Sequence, residues 1–297
     1  MKYIKEANFT SAEQLAEICR NNYAAISDVM FSREINESGR SADEVLSEMK
    51  NSLAVMKNGV EHAKAGGMKT LGGYIGGEGK ALLNGELMKS GKSLCGIASR
   101  AAAYAMGMIE LNASMGRIVA APTAGSCGII PGVVMALKEE FDFSDEKLTV
   151  ALFNAGAIGY LFARNATISG AEGGCQSEVG VACAMAASAV VELFGGSVTQ
   201  CLAAAGDTIS NILGLVCDPI SGLVEAPCQK RNALGAANAL LCAEIALSDD
   251  REPLVSLDQI IKISYSVGKS IPYQLRETAL GGMASADINV KRCRHDA

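Results

Sequence analysis

The sequence is short of aromatic residues and has no tryptophan: aromatics make up 5% of the 297 residues, whereas hydrophobic residues make up 49%. A core without large rings must be built from Ala, Val, Ile, Leu and Met, which favours closely packed helices over a sheet rich in aromatic and β-branched side chains. Basic surplus is missing too. Lys and Arg number 26 against 32 Asp and Glu, a net charge of −6, and a phosphate backbone needs a concentrated basic surface that this balance does not offer. Nucleic acid is therefore not an expected partner. The N-terminus carries acidic residues where an export signal needs an uninterrupted apolar stretch, so a cytoplasmic location is expected. Ile118 to Leu137 carries no charge and is long enough for a membrane span, but Pro122, Pro131 and the glycines around them interrupt it. No membrane association is expected. Without repeats, low-complexity tracts or a Pro/Ser-rich linker, the chain reads as one all-α domain over 1–297, a single compact unit of buried Ala/Gly-rich helices.

Helical punctuation supports that class. Ser11–Gln14, Ser41–Glu44 and Ser256–Gln259 each place a hydroxyl three residues before a Glu or Gln, the pattern of a capping box. After Ser41 the residues Val45, Met49, Leu53, Met56 and Val60 step by three to four and stop at Gly66-Gly67, an amphipathic helix with a glycine stop. Further helices are predicted at about 93–113, 132–140, 146–163, 178–195, 198–213, 230–247 and 257–268. Between them run loops dense in Gly, Pro, Ser, Thr and Cys: 121–132, 169–178 and 217–232. Chemistry sits most often in loops held by a rigid scaffold.

Two glycine-rich stretches can be tested as phosphate cradles. Gly85 to Ser93 has five residues between its glycines where a P-loop needs four, and no apolar strand precedes it; Gly73 to Lys80 also lacks the Ser/Thr. Both read as loops. Metal sites are limited by supply: there are two histidines, His62 and His295, and no Cys-x-x-Cys pair. Ten cysteines in a reducing compartment call for burial or ligation rather than disulfides. Cys183, Cys201 and Cys242 lie in Ala-rich helical stretches as small core residues. Cys175, Cys217 and Cys228 instead sit in Gly/Pro-rich loops, where small neighbours let a thiolate approach an inorganic core and free N–H groups reach its sulfides. Their spacing matches no compact ferredoxin motif, so spacing alone leaves burial and ligation both open.

The stretches 113–132, 170–180 and 217–232 together closely resemble the alpha chain of the two-subunit iron–sulfur L-serine dehydratases, in order and over nearly the whole chain. The resemblance implies an all-helical catalytic domain and a [4Fe–4S] cluster on Cys175, Cys217 and Cys228, with one iron open to substrate. It implies the conversion of L-serine to pyruvate and ammonia, without pyridoxal phosphate. A separate beta subunit is implied as well, because the smaller regulatory domain of single-chain members is missing from these residues, and with it a hetero-oligomer. Single-chain relatives end in a cysteine that folds onto the open iron. Here Cys293, followed by four more residues, is the corresponding candidate for a fourth ligand in the resting state.

For substrate, the loop residues Thr123, Gly125, Ser126, Cys127 and Gly128 offer hydroxyls and backbone N–H groups to a carboxylate, with Lys92 and Arg231 as candidate charge partners. His62 is the candidate base by its ordinary pKa near neutrality, although a His beside Glu61 and Lys64 on a helix also fits a solvated position. Rival readings are a cluster-dependent lyase acting on another small amino acid, such as a cysteine desulfidase, and a non-catalytic iron–sulfur protein. A pyridoxal-phosphate lyase would need a Schiff-base lysine and a glycine phosphate loop in an α/β fold, and neither the fold signal nor the loop is evident.

Overall fold

The computed structural model describes residues 1–288; Cys293 and His295 lie outside the described residues. The described chain is all-α, and in it no strand forms; one isolated bridge pairs Cys217 with Arg276. The helices are α1 (Ala12–Asn22), α2 (Ile26–Ser38), α3 (Ala42–Ala65), α4 (Glu78–Asn84), α5 (Glu86–Lys89), α6 (Ile97–Ala113), α7 (Ile129–Phe141), α8 (Asp145–Asn165), α9 (Gly170–Gly173), α10 (Val181–Leu193), α11 (Val198–Ser210), α12 (Cys228–Ser248) and α13 (Leu257–Ser270).

At the centre is α10, which packs on α8, α11, α12 and α7, and beside it α6, which packs on α7, α12, α3 and α4. Every residue of α10 from Val181 to Val191 is buried. Its Ala, Ser and Cys side chains let four neighbours come close at once, which is how a helix without a polar face stays in a soluble fold. The same economy governs α6 and α7. A Cβ on Gly128 would stand 2.2 Å from the Ala105 carbonyl oxygen, and one on Gly132 would stand 2.6 Å from that of Ala101, so glycine is what allows these two helices to touch through their backbones.

Caps work as expected at two of the three boxes. Ser41 accepts from the Glu44 N–H and donates its own N–H to Glu44 Oε2 at 2.8 Å; Ser256 and Gln259 exchange the same pair. At Ser11 only half of the box forms, because Gln14 Oε1 takes the N–H of Thr10 at 2.8 Å instead of that of Ser11. A box not predicted closes α11, between Ser197 and Gln200. Helix α2 was not predicted either: its N-cap is Ala25, and the compensating group is Asp28, whose carboxylate accepts the N–H of Ala25 and of Lys2. Helix α7 begins at Ile129 rather than at Gly132, since Pro131 falls in the first turn, where a missing N–H costs nothing. Among the described residues no helix is long and apolar enough to cross a membrane.

Candidate metal centre and substrate loop

Cys175, Cys217 and Cys228 each sit where a helix begins or a loop turns. Cys175 follows Gly174, whose φ of 76° is the left-handed conformation, and a Cβ there would meet the Leu215 carbonyl oxygen at 2.7 Å. A π-helical turn, Gln176–Gly180, then leads into α10. Gln176 locks this entry: its N–H donates to Leu215 O at 3.1 Å, its amide nitrogen to Ser264 O at 2.6 Å, and its amide oxygen accepts the Gly214 N–H at 2.8 Å. Cys217 is clamped from the other side, donating its N–H to Leu275 O at 2.8 Å and accepting the Glu277 N–H at 2.6 Å. Cys228 is the first residue of α12.

All three thiols are buried, at 2%, 3% and 6% exposure for Cys175, Cys217 and Cys228. The ligand atoms of Cys175, Cys217 and a residue that sequence reasoning missed, Glu178, lie within 4.8 Å of one another. Cys228 stands outside that sphere but within reach of the same charges, since the charges of Cys175 and Glu178 both push its thiol up after burial has done so first. A cubane spreads its ligands over separate irons, so its sulfurs need not share the tight sphere that a single ion requires.

The electrostatics single out Cys175. A hydrogen bond from the Cys217 thiol is the main cause that holds it below the ordinary thiol value; burial opposes this, and the Arg231 guanidinium adds to it. Cys217, as the donor, is pushed up. Arg231 Nη1 lies 3.7 Å from Cys175 Sγ, donates to Val216 O at 2.8 Å and pairs with Asp218 at 2.7 Å. Asp218 in turn accepts the Met283 N–H at 2.7 Å. A positive charge, fixed by a buried carboxylate, therefore borders the thiols.

Glu178 joins this basin to the substrate loop. Thr123 Oγ1 donates to its Oε1 at 2.7 Å, and the Cys217 thiol points at its Oε2 from 3.9 Å. Burial is the chief cause that raises its pKa, partly offset by the Thr123 hydrogen bond. Two glycines make room: a Cβ on Gly125 would come within 3.1 Å of Glu178 Oε1, and one on Gly170 within 2.5 Å of Oε2 and 3.0 Å of Cys217 Sγ. The i, i+3 spacing of Cys175 and Glu178 at a helix start was the signal available in the sequence. Asn232, also missed, ties the loop to α12: its amide nitrogen donates to Gly125 O at 2.8 Å and to Cys228 O at 2.9 Å, and its oxygen accepts the Gly128 N–H at 3.1 Å.

The structure thus brings Thr123, Gly125, Ser126 and Gly128 to the basin, with Ser126 Oγ 3.2 Å from Thr123 Oγ1. Several of the loop's N–H groups are already used, those of Ser126, Cys127 and Gly128 by Thr123 O, Ala124 O and Asn232. Cys127 turns into a small apolar cluster with Ile75, Ile109 and Ala113, where burial pushes its thiol up to about 12. Lys92 is exposed after α5. His62 is exposed on α3, with Nδ1 2.8 Å from Asn58 O, and neither it nor Lys92 makes a hydrogen bond to the basin.

Comparisons with known proteins agree with this arrangement. The family model described as the serine dehydratase alpha chain matches residues 21–284. A probable L-serine dehydratase alpha chain of Bacillus subtilis is 42% identical over 278 residues, covering 93% of this chain and 91% of its own. The L-serine dehydratase alpha chain of Peptoniphilus asaccharolyticus is 41% identical over 285 residues, 95% of this chain and 96% of its own. An L-serine dehydratase of Escherichia coli is 39% identical over 286 residues, 93% of this chain but only 62% of that longer one. With a family model over most of its length and relatives matched nearly end to end, this chain belongs to the serine dehydratase alpha-chain family, whose members are ammonia-lyases.

Proposed function

We propose that the chain is the alpha subunit of an L-serine dehydratase, that Cys175, Cys217 and Cys228 hold a [4Fe–4S] cluster, and that L-serine reacts beside it to give pyruvate and ammonia. The observation that carries this reading is the meeting of loop thiols far apart in sequence around one carboxylate and one guanidinium. Fit to the cluster is supported by the donor set itself: buried thiols, one held low in pKa beside a cation, and a bare Gly170 where any side chain would collide with Cys217 and Glu178.

When bound, such a cluster supplies an iron corner without a protein ligand, a Lewis acid for the β-hydroxyl and carboxylate of serine. The chain's own residues do the rest. Ser126 presents its hydroxyl to the carboxylate, Thr123 holds Glu178 in place through the hydrogen bond it donates, and Arg231 offsets the negative charge gathered on the thiolates. Glu178, a partly buried carboxylate more basic than a surface one, accepts the α-proton. The Cα–H electron pair forms the Cα–Cβ double bond as hydroxide leaves Cβ and is protonated to water. The aminoacrylate product tautomerises to an imine, and water hydrolyses it to pyruvate and ammonia, so the water lost in the first stage is regained in the last. His62 is the alternative base, and Cys293 remains the proposed resting-state ligand. A beta subunit completes the enzyme on this reading, in keeping with the alpha-chain names of the two relatives that match at full length. The cytoplasm is its proposed location.

Anaerobic purification with iron and sulfide counts, followed by a serine-to-pyruvate assay with and without a beta chain, tests the proposal. Four irons and four sulfides per chain, with a spectrum that changes on adding serine, are expected. A chain that takes up no cluster under reconstitution rejects it, and pyruvate formed more slowly from serine than from another small amino acid reassigns the substrate.

A further inference from the structure

The glycine-rich stretch that fails as a phosphate cradle is tied down in an unusual way. Its backbone N–H groups end on carboxylates brought by other elements. Glu225, only 1% exposed and part of the loop between Cys217 and Cys228, accepts the Gly72 N–H at 2.6 Å, the Tyr74 N–H at 2.8 Å and the Thr70 hydroxyl at 3.1 Å. Glu110, fully buried in the last turn of α6, accepts the N–H of Gly77 at 2.9 Å and of Gly79 at 3.0 Å. Tyr74 Oη adds a contact of 2.8 Å to Ser221 Oγ.

The two anchors converge on the ligand loop. Gln229, the residue after Cys228, donates its amide nitrogen to Glu110 at 2.8 Å and to Glu78 at 3.0 Å, and Glu78 also accepts the Gly76 N–H at 2.7 Å. Gln229 N–H closes the circuit by donating to Glu225 O at 2.8 Å. Buried carboxylates carry a large desolvation cost, which only a full set of donors offsets, and here all the donors but the Gln229 amide come from one segment. Glycine is required at one point of the fit: a Cβ on Gly79 would lie 2.7 Å from Ala103 O and 2.8 Å from Gly107 N.

We propose that residues 70–79 form a strap that holds Cys228 in position, with Glu110 and Glu225 as positioning residues acting through Gln229 and the loop backbone. The proposal rests on the reading of Cys228 as a cluster ligand, but its central contact needs no cluster to be measured. The strap is bonded to Glu225 and, through Glu78, to Gln229, on either side of Cys228, so its release is expected to loosen Cys228 while the rest of the core stays closed.

The test is thiol alkylation of the iron-free full chain by iodoacetamide, read cysteine by cysteine in a mass spectrometer, for the parent, Glu110→Gln, Glu225→Gln and Tyr74→Phe. Cys183, fully buried against Gly235 of α12, reports opening of the core at large. Each Glu→Gln change turns one acceptor into a donor facing an N–H. The expected result is Cys228 labelling about ten-fold faster with Cys183 unchanged, and two- to three-fold faster in Tyr74→Phe. Equal Cys228 rates overturn the strap, and so does a rise at Cys228 matched by one at Cys183. Should a Glu→Gln chain fail to fold, the milder Tyr74→Phe decides by the same ratio. In the reconstituted chain the two Glu→Gln variants are expected to lose their absorbance in air about ten-fold faster. A parent chain that binds no cluster, with the labelling ratio as expected, sinks the ligand reading and leaves the strap standing.

Discussion

Two groups in this fold set a partly buried carboxylate between two buried thiols. In the basin Glu178 stands with Cys175 and Cys217; in the helical core Glu192 of α10 stands near Cys19 of α1 and Cys201 of α11, accepting the Ser27 N–H at 3.2 Å and the Asn154 amide at 2.7 Å. Burial pushes Cys19 up to about 12, with the Glu192 charge adding to it, and it pushes Cys201 up as well. Composition and burial are therefore alike, and chemistry is not. What separates them is a cation and a loop: Arg231 reaches Cys175, and glycines bare of Cβ leave room beside Cys217 and Glu178. Helix-borne thiols among apolar neighbours are inert packing, whereas Cys175, borne on a loop beside a guanidinium, is held below the ordinary thiol value.

The largest effect that would break this contrast is a thiol deletion. Cys175→Ala is expected to abolish iron uptake and activity together, while Cys201→Ala keeps both and loses about 1 kcal/mol of stability. Iron counts and urea melts on the two variants decide it, and a Cys175→Ala chain that still binds four irons removes the basin. Next in size is Glu178→Gln, expected to keep the cluster and lower kcat by about 10^2- to 10^4-fold, against less than about two-fold for His62→Ala. A reversed ranking in steady-state assays transfers the base to His62. Third comes the cation. Arg231→Met leaves Asp218 buried without its partner and is expected to cost about 3 kcal/mol, seen as a lower urea midpoint of the iron-free chain. An unchanged midpoint would show that Arg231 serves the thiols alone.

Much of the contrast was readable in the sequence because it is local. Helix starts show as Ser followed by Glu or Gln, and Gly/Pro punctuation marks Cys175, Cys217 and Cys228 as loop residues while Cys183 and Cys201 lie in helical runs. What stayed hidden depends on distant partners. Glu178 looks like one more helix-start acid until Gly125 and Thr123 arrive from the 121–132 loop and Gly170 closes in from the start of its own. Gln229 and Glu110 are 119 positions apart, and no periodicity announces that they touch. The position of Arg231 next to Cys175 is equally a product of the fold, since α12 and the turn before α10 meet only when the core has closed. His62 stood out in sequence by its type, and type alone does not place a side chain.

The smallest effect sharpens the comparison from the core side. Burial is the main cause that raises the Glu192 carboxyl above its ordinary 4.5, against the hydrogen bonds from Ser27 and Asn154. A raised acid binds its proton more tightly when folded. Its share of stability is therefore complete below the ordinary value and fades as pH climbs through the raised one. Glu192→Gln lacks this share at every pH. The parent's advantage over the variant should then shrink from about pH 4.5 upward, at no more than about 1.4 kcal/mol per pH unit, and the other buried acids cancel because both chains keep them. Urea melts of the two iron-free chains across that range measure the difference directly. A constant difference would mean that Glu192 titrates alike in the folded and unfolded chain; the likeness of core and basin in burial would then fail, and Arg231 and the glycines would no longer be all that separates them.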